Sequence, residues 1–215
     1  MRELQQLDHY RLPADWHPGA PWLVRLGWFC LGSPLLAARW LPGSGWRCAL
    51  LRLFGSQVGL GCRIKPGLRV KFPWRLALGD HCWLGEGVWI DNLAPVSLGD
   101  RVCLSQGAYL CTGNHNFRLP GFDLLAQPIW IGSQAWVAAR AVLAPGTRVG
   151  AGAVVGLGAV ASGEIAPAVI VRGNPAVVVG PRTGGGAFGE PGLCSSAASC
   201  GAPALGPVQF RGSLR

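Results

Sequence analysis

The stretch IGSQAWVAARAVLAPGTRVGAGAVVGLGAV, residues 131–160, repeats a pattern every six residues. The first residue of each six is apolar, the second is Gly or Ala, and the fifth is Ala or Thr. An α-helix, with about 3.6 residues per turn, does not produce a strict period of six. The pattern is typical of a triangular coil, in which each side is a short strand whose first residue points inward and whose small fifth residue lies near a corner.

The same period extends in both directions from this stretch. Downstream it continues through ASGEIA, residues 161–166, where the small fifth residue is lost at Ile165. Upstream, three triplets of apolar residues have the same spacing: Val58, Ile64 and Val70; Leu78, Leu84 and Ile90; Leu98, Leu104 and Leu110. Successive triplets are separated by a step of eight residues, and the added residues fall near Pro73 and Pro95, where a corner absorbs them. Three sixes therefore form one coil, and the sequence predicts five coils: 58–77, 78–97, 98–130, 131–148 and 149 to about 166.

The third coil is longer than its strands require and predicts an ejected loop over residues 111–128. The loop begins with CTGNHNF, residues 111–117, and carries His115, the only histidine in the second half of the chain. Loops of this length in a compact scaffold are usually functional. This segment is therefore the first candidate for a site.

Composition and charge limit the classes of function. The chain has 215 residues, of which 50% are hydrophobic and 13% are charged, so one well-buried domain with attachments is expected. The net charge of +9 is spread along the chain without a basic stripe, which argues against nucleic acid and suits a small polyanionic ligand or an anionic membrane surface. The eight cysteines include no CxxC pair, so free thiols in a reducing cytoplasm are expected.

Two flanking segments lack the repeat. Residues 1–56 do not start like a signal peptide, and the apolar stretch 22–41 is interrupted by Arg25, Pro34 and Arg39, which favours amphipathic helices over a membrane span. The apolar faces of these helices either pack on the coils or lie on a membrane, with Trp22, Trp28 and Trp40 at the level of the headgroups. Residues 183–215 are rich in Gly, Ala, Ser and Pro and are predicted to be disordered.

Four motifs carry a resemblance to a known family: RLFG (52–55), WLGEGVWIDNLAPVSLGD (83–100), SQGAYLCTGNHNF (105–117) and VRGNPA (171–176). Together with the repeat, they make about residues 4–182 similar to the hexapeptide-repeat acyltransferases, and within these to the colanic acid biosynthesis acetyltransferases. The resemblance implies an all-β fold, a left-handed parallel β-helix over residues 57–182. It also implies a homotrimer that binds acetyl-CoA between subunits, needs no metal, and acetylates a hydroxyl of a sugar or lipid-linked glycan.

His115 is the candidate general base. Acetyl transfer to a hydroxyl requires removal of a proton, and the unperturbed pKa of histidine lies close to the working pH. His115 also matches the catalytic histidine of the family by its place in TGNHN. A covalent route through Cys111 is the alternative, although Cys111 occupies a small second position of the repeat, which packing explains. Relatives often have an acidic residue after the histidine, whereas this chain has Asn116.

The acceptor that orients His115 is therefore open between a backbone carbonyl, Asp123 and Asp91. Asp91 and Asn92 end the coil below the loop, where they either bind the acceptor sugar or form a turn.

The coenzyme A residues follow from the resemblance. Trp136, Ala139 and Ser162 match contact positions of the family, and Gly163 replaces a lysine that relatives carry. Arg172 or Arg182 is expected to supply the missing charge for the phosphates.

The expected function is O-acetylation of an exopolysaccharide of the colanic acid type or another surface glycan. Two alternatives remain: N-acetylation of an amino sugar, and a non-catalytic β-helix that serves as a scaffold. The expected location is cytoplasmic, with peripheral contact to the inner membrane through the N-terminal helices as an option.

Overall fold

The computed structural model describes residues 6–183. A helical segment comes first and a parallel β-helix follows. The helical segment contains a 3-10 turn and three short α-helices, the first two joined by a π-helical turn: the 3-10 turn Leu7–His9, α1 (Trp22–Gly27), the π-helical turn Trp28–Gly32, α2 (Ser33–Ala37) and α3 (Gly45–Leu53). A second 3-10 turn, Pro73–Arg75, lies at the first of the predicted long corners.

Twenty short strands follow within the described residues: β1 (Gln57–Val58), β2 (Arg63–Ile64), β3 (Arg69–Val70), β4 (Leu76–Leu78), β5 (Trp83–Leu84), β6 (Trp89–Asp91), β7 (Val96–Leu98), β8 (Cys103–Leu104), β9 (Tyr109–Cys111), β10 (Gly113–His115), β11 (Leu124–Ala126), β12 (Ile129–Ile131), β13 (Trp136–Val137), β14 (Val142–Leu143), β15 (Arg148–Val149), β16 (Val154–Val155), β17 (Val160–Ala161), β18 (Glu164–Ile165), β19 (Val169–Arg172) and β20 (Val177–Pro181).

The strands form three faces, and each coil passes through them in the order A, B, C. Face A has the strand order β1-β4-β7-β12-β15-β18, face B the order β2-β5-β8-β13-β16-β19-β20, and face C the order β17-β14-β9-β6-β3. Pairing within the faces is parallel, except that β20 folds back antiparallel on β19. Strands β10 and β11 form a separate antiparallel hairpin.

The six-residue pattern builds this prism because each position has one structural task. The first residues, such as Val137 and Val155, point inward and are fully buried, and the fifth residues, such as Ala141, fill the space beside a corner. The fourth residue turns the corner with a positive φ, as at Gly146 (78°) and Arg140 (57°). A left-handed backbone at corners of this kind favours glycine, which contributes to its frequency in the chain.

The predicted coils are present, and the chain adds an incomplete sixth turn formed by β18 and β19. The end of the repeat at about residue 166 was therefore placed too early. Ile165 pairs in register with Val149 and is an inward residue of face A, not a failed fifth position. The corner at Ser162 and Gly163 is shorter than the others, and Gly163 turns it with a φ of 72°.

The N-terminal helices pack on the first coils, as one of the two sequence interpretations predicts. Trp28, Leu36 and Leu51 are fully buried, and the Trp28 indole Nε1 donates to the carbonyl of Lys71 at 3.1 Å. Trp28 therefore does not lie at the level of lipid headgroups, and that part of the membrane interpretation is wrong. Trp22 and Trp40 are 62% and 78% exposed. Over residues 6–183, no helix is long and apolar enough to cross a membrane.

The C-terminal segment predicted to be disordered, 183–215, lies outside the described residues from position 184 onward.

Candidate active site

The ejected loop is the hairpin of β10 and β11, which leaves the coil at the corner between faces C and A. His115 pairs with Leu124 across the hairpin. Both ends of the loop are fixed by Thr112, which is fully buried. Its hydroxyl donates to the carbonyl of Asp91 at 3.0 Å, and its own carbonyl accepts the N–H of Gln127 at 2.8 Å. The hairpin is thus anchored to the coil below, which positions His115 at this corner.

One ring nitrogen of His115 is held by the backbone. Its Nδ1 lies 2.8 Å from the carbonyl oxygen of Phe122. A carbonyl only accepts, so in the neutral imidazole this contact places the proton on Nδ1 and the lone pair on Nε2. Phe122 presents this carbonyl from a left-handed backbone (φ 51°), and its ring stacks on the imidazole at 4.3 Å between centroids and 6° between planes. Of the three orienting groups left open by the sequence, the carbonyl is the one in contact.

The imidazole also contacts the N-terminal segment. The ring of Tyr10 meets His115 edge-on at 5.7 Å between centroids. Asn116 serves the loop: its N–H donates to the carbonyl of Asp123 at 2.8 Å, and its side-chain oxygen accepts the N–H of Arg118 at 3.2 Å. Asn116 and Asp123 therefore shape the turn that brings Phe122 to the histidine.

Asp91 lies one coil below Cys111, with which it pairs in register. Its carboxylate is 16% exposed, forms an ion pair with Lys71 at 3.1 Å, and accepts a weak hydrogen bond from the Tyr109 hydroxyl at 3.4 Å. Burial raises the pKa of Tyr109 above its usual range, and the neighbouring Cys111 and Asp91 raise it further. The Cys111 thiol donates to the carbonyl of Gly113 at 3.2 Å.

Asn92 has a structural role. It is fully buried, its side-chain oxygen accepts the N–H of Phe72 at 2.9 Å, and its amide donates to the carbonyl of Phe72 at 2.7 Å. Both ends of the side chain are occupied, so the turn-forming alternative describes Asn92. Acceptor binding from this pair remains a prediction for Asp91 alone.

The predicted coenzyme A residues are distributed over face B and all three corners of one chain. Trp136 is on face B, 44% exposed, with its indole donating to the Ser105 hydroxyl at 2.8 Å. Ala139 follows at the corner between faces B and C. Arg172 ends β19 at this same corner, since Val171 pairs with Val155 and Val155 continues the column of β13.

Ser162 lies instead at the corner between faces C and A, where it follows Ala161 as Cys111 follows Leu110. It therefore shares a corner with His115 and Asp91. Arg182 binds the third corner: its Nη1 donates to the carbonyls of Gln134 at 2.8 Å and Gly152 at 3.0 Å. Within one chain, His115 therefore lies on a different corner from Ala139 and Arg172, and Trp136 lies on face B.

Three residues at the site were missed by the sequence interpretation: Tyr10, Lys71 and Phe122. Phe122 acts through its backbone, which has no sequence signature, and Tyr10 reaches the site from the far end of the chain. Lys71 lies one coil from Asp91 on face C, so the spacing of the repeat could have predicted that these two residues are neighbours. Across residues 6–183, no group of three or more His, Cys, Asp or Glu side chains is arranged to hold a metal ion.

Curated proteins similar to this chain include the Escherichia coli K12 protein named "Putative colanic acid biosynthesis acetyltransferase WcaF". It is 36% identical over 181 residues, which cover 83% of this chain and 98% of the relative. The protein of the same name from Shigella flexneri has the same identity and coverage. The chain belongs to the WcaF family of acetyltransferases. No protein-family model matches it.

Solved structures share the fold of this WcaF-family chain. A hexapeptide-repeat acetyltransferase from Vibrio cholerae has a TM-score of 0.68 and 22% identity, with 75% of this chain and 92% of that chain covered. A galactoside acetyltransferase in complex with coenzyme A has a TM-score of 0.67 and 21% identity, with 85% and 92% covered. The β-helix predicted from the six-residue period is confirmed.

Proposed function

We propose that this WcaF-family protein is an acetyl-CoA-dependent O-acetyltransferase that modifies a sugar hydroxyl during synthesis of a colanic-acid-like or other surface glycan. The observation that carries the proposal is the state of His115: Nδ1 is bound to the Phe122 carbonyl, which leaves Nε2 as a proton acceptor. A histidine held in this way is suited to general base catalysis. Membership of the family supports the choice of donor and of acceptor class.

In the proposed mechanism the acetyl group is transferred directly from the thioester to the sugar, with His115 moving the proton. His115 Nε2 removes the proton of the sugar hydroxyl as its oxygen attacks the thioester carbonyl. The bond between the carbonyl carbon and the sulfur then breaks, and His115 returns the proton to the departing thiolate. The Phe122 carbonyl stabilises the imidazolium formed between these two steps. In this proposal Asp91, which pairs with Lys71 at the same corner, accepts a hydrogen bond from the sugar.

The two-corner arrangement supports a homotrimer with sites between subunits. His115, Asp91 and Ser162 line one corner, whereas Trp136, Ala139 and Arg172 lie on face B and the next corner. A neighbouring copy brings its face B against the first corner in a closed cyclic assembly. In such a site Trp136 and Ala139 contact the coenzyme, and Arg172 meets its phosphates. Arg182 is the weaker candidate, because its Nη1 already binds two carbonyls.

The test is mass spectrometry of candidate glycans after incubation with the protein and acetyl-CoA. A gain of one acetyl group that mild alkali removes supports the proposal, because esters hydrolyse under conditions that leave amides intact. An acetyl group that resists alkali indicates N-acetylation of an amino sugar. Absence of transfer to a panel of glycans, together with absence of coenzyme A binding, favours the non-catalytic scaffold.

Two sequence predictions stay predictions. A cytoplasmic location rests on the cysteine content, and six of the eight cysteines are free thiols within the described residues. Peripheral contact with the inner membrane rests on the exposed indoles of Trp22 and Trp40.

A further inference from the structure

The first helices of the chain are apolar on their outer side as well as on their inner side. Residues 22–37 contain one charged residue, Arg25. Trp28 and Leu36 form the inner side and are fully buried. The outer side chains are also large and apolar, and each is at least 49% exposed: Trp22, Leu23, Leu26 and Phe29. Surface helices usually carry charged residues on the outer face, and a helix that is apolar all round is normally buried. Within residues 6–183, nothing covers this outer side.

The positive charge of the protein is concentrated in the same part of the chain. Residues 16–79 contain nine Arg and Lys residues and neither Asp nor Glu, whereas the other ten basic residues are matched by ten acidic ones. Five of the nine are exposed and lie on the helical segment or the first coil: Arg39, Arg52, Arg63, Lys65 and Arg69. The whole net charge of +9 can therefore be assigned to these helices and the first coil.

The helices and the first coil form one end of the β-helix. Strands β1, β2 and β3 are the end strands of the three faces. Helix α3 packs on β1 and β2, and α2 packs on β3. An apolar helical surface beside basic side chains is complementary to an anionic lipid bilayer, because the apolar side chains enter the acyl boundary while the basic ones meet phosphates. A second copy of the chain would bring the same positive charge, which opposes its docking here.

We propose that residues 22–40 are a docking surface for bilayers that contain anionic phospholipid. Leu23 and Leu26 enter the boundary between the headgroups and the acyl chains. Trp22 begins the segment and Trp40 follows α2, and both indoles lie at the level of the headgroups. The inference goes beyond the proposed function and does not depend on it, because binding is measured without acetyl transfer.

The first experiment measures flotation of the full chain with two kinds of vesicle, phosphatidylcholine alone and equal parts of phosphatidylcholine and phosphatidylglycerol. The mixed vesicles bind more than about tenfold more tightly, because each basic residue near an anionic surface strengthens binding roughly fivefold. Leu23→Gln weakens binding to mixed vesicles roughly tenfold through lost apolar burial. Arg39→Gln weakens it roughly fivefold at low salt and has little effect at high salt, where the charges are screened.

Leu157→Gln and Arg101→Gln are the matched controls. They make the same chemical changes at exposed residues of later coils. Both bind mixed vesicles as the wild type does, and thermal melts establish that all variants are folded. The inference is overturned if neither kind of vesicle floats the protein, if both kinds bind equally well, or if the Leu23 and Arg39 variants match their controls.

The second experiment identifies the side of the protein that meets the bilayer. Phospholipids brominated on the acyl chains quench the fluorescence of indoles that lie close to the bilayer. Trp40→Phe reduces the intensity lost on adding brominated mixed vesicles. Trp136→Phe removes an indole that is 44% exposed on face B and leaves this loss unchanged. An equal reduction in both variants indicates adsorption without a fixed orientation and overturns the inference.

Two other occupants of this surface give distinct results, and either would overturn the inference. A smaller sedimentation coefficient of Leu23→Gln in the absence of lipid indicates an interface between copies of the chain. Transfer RNA that binds more tightly than mixed vesicles, with no effect of Leu23→Gln, indicates a nucleic-acid surface. Failure of the proposed function looks different: no acetyl group reaches any glycan, while the protein still floats with mixed vesicles.

Discussion

His115 combines one fixed ring nitrogen with one that is free to accept a proton. The fixed nitrogen binds the carbonyl of Phe122, and the flat contact between the two rings limits rotation of the imidazole. Cys111 lies nearby, but its thiol already donates to the carbonyl of Gly113. These contacts of His115 and Cys111 therefore favour direct transfer over an acyl-cysteine intermediate.

His115→Ala is expected to lower kcat by roughly 10²- to 10⁴-fold, the usual contribution of a positioned base. Coenzyme A binding, measured by an independent isotherm, stays near the wild-type value, because its proposed contacts lie on the later coils. Cys111→Ala is the matched control and costs less than about tenfold in a thiol-release assay. An active histidine variant beside an inactive cysteine variant would show that the acyl-cysteine route operates.

Burial of the Cys82 thiol is expected to make the free energy of unfolding depend on pH. Burial raises the pKa of its thiol to about 11 from an ordinary value of 9.0. The neutral thiol stabilises the folded state below pH 9, and this stabilisation is lost as pH rises through the folded pKa. Cys82→Ala, which places the alanine common at fifth positions, should reduce the fall in unfolding free energy between pH 9 and pH 11. Urea titrations at these two pH values measure the unfolding free energy of the variant and the wild type. An equal fall between pH 9 and pH 11 in both proteins contradicts the prediction.

At the scale of elements, the hairpin of β10 and β11 depends on a close approach at its base. A Cβ on Gly113 would lie 2.5 Å from Cδ1 of Leu93, so any larger residue forces Leu93 to move. Leu93 also accepts the hydrogen bond from Trp16, which joins the N-terminal segment to the same corner. The position of His115 is therefore coupled to the packing below it.

Gly113→Ala is expected to lower stability by about 1–3 kcal/mol through overpacking and to reduce kcat by displacing the hairpin. Adding Leu93→Ala removes the clash and restores part of both, measured as a double-mutant cycle. Gly180→Ala serves as the control, since a Cβ there meets no atom within 4 Å. Additive effects of the two substitutions would contradict the coupling.

At the scale of the whole molecule, His115 lies on a different corner of the prism from Ala139 and Arg172, two of the proposed coenzyme contacts. His115 belongs to the corner between faces C and A, whereas Trp136 lies on face B. A site that uses both is assembled from two copies of the chain. We therefore expect the catalytic unit to be the oligomer and not the single subunit.

Mixed assembly tests this directly. His115→Ala and Trp136→Ala homotrimers are expected to have low activity at limiting acetyl-CoA. Random co-assembly at equal amounts restores about a quarter of the sites, because a subunit with an intact base then meets a neighbour with an intact Trp136. A stable monomer in sedimentation at micromolar concentration, or no recovery on mixing, would contradict sites shared between subunits.

The sequence by itself determined the coil, its corners, the ejected loop and the candidate base. These follow from a period that is local: each six residues repeat the same inward, small and turning positions, so no distant contact is needed to recognise them. The last turn was misjudged at Ile165 because the corner before it is shorter and shifts the register of the repeat.

Only the tertiary structure decided which groups surround His115. Phe122 acts through a carbonyl, a group that every residue carries, and Tyr10 reaches His115 from the other end of the chain. Asn92 is a common turn residue, and only its two hydrogen bonds to Phe72 show that its amide is buried. Trp28 has the same amphipathic side chain as Trp22, but the first coils bury one and leave the other exposed. The period fixes how the chain coils, whereas these contacts depend on which distant surfaces meet.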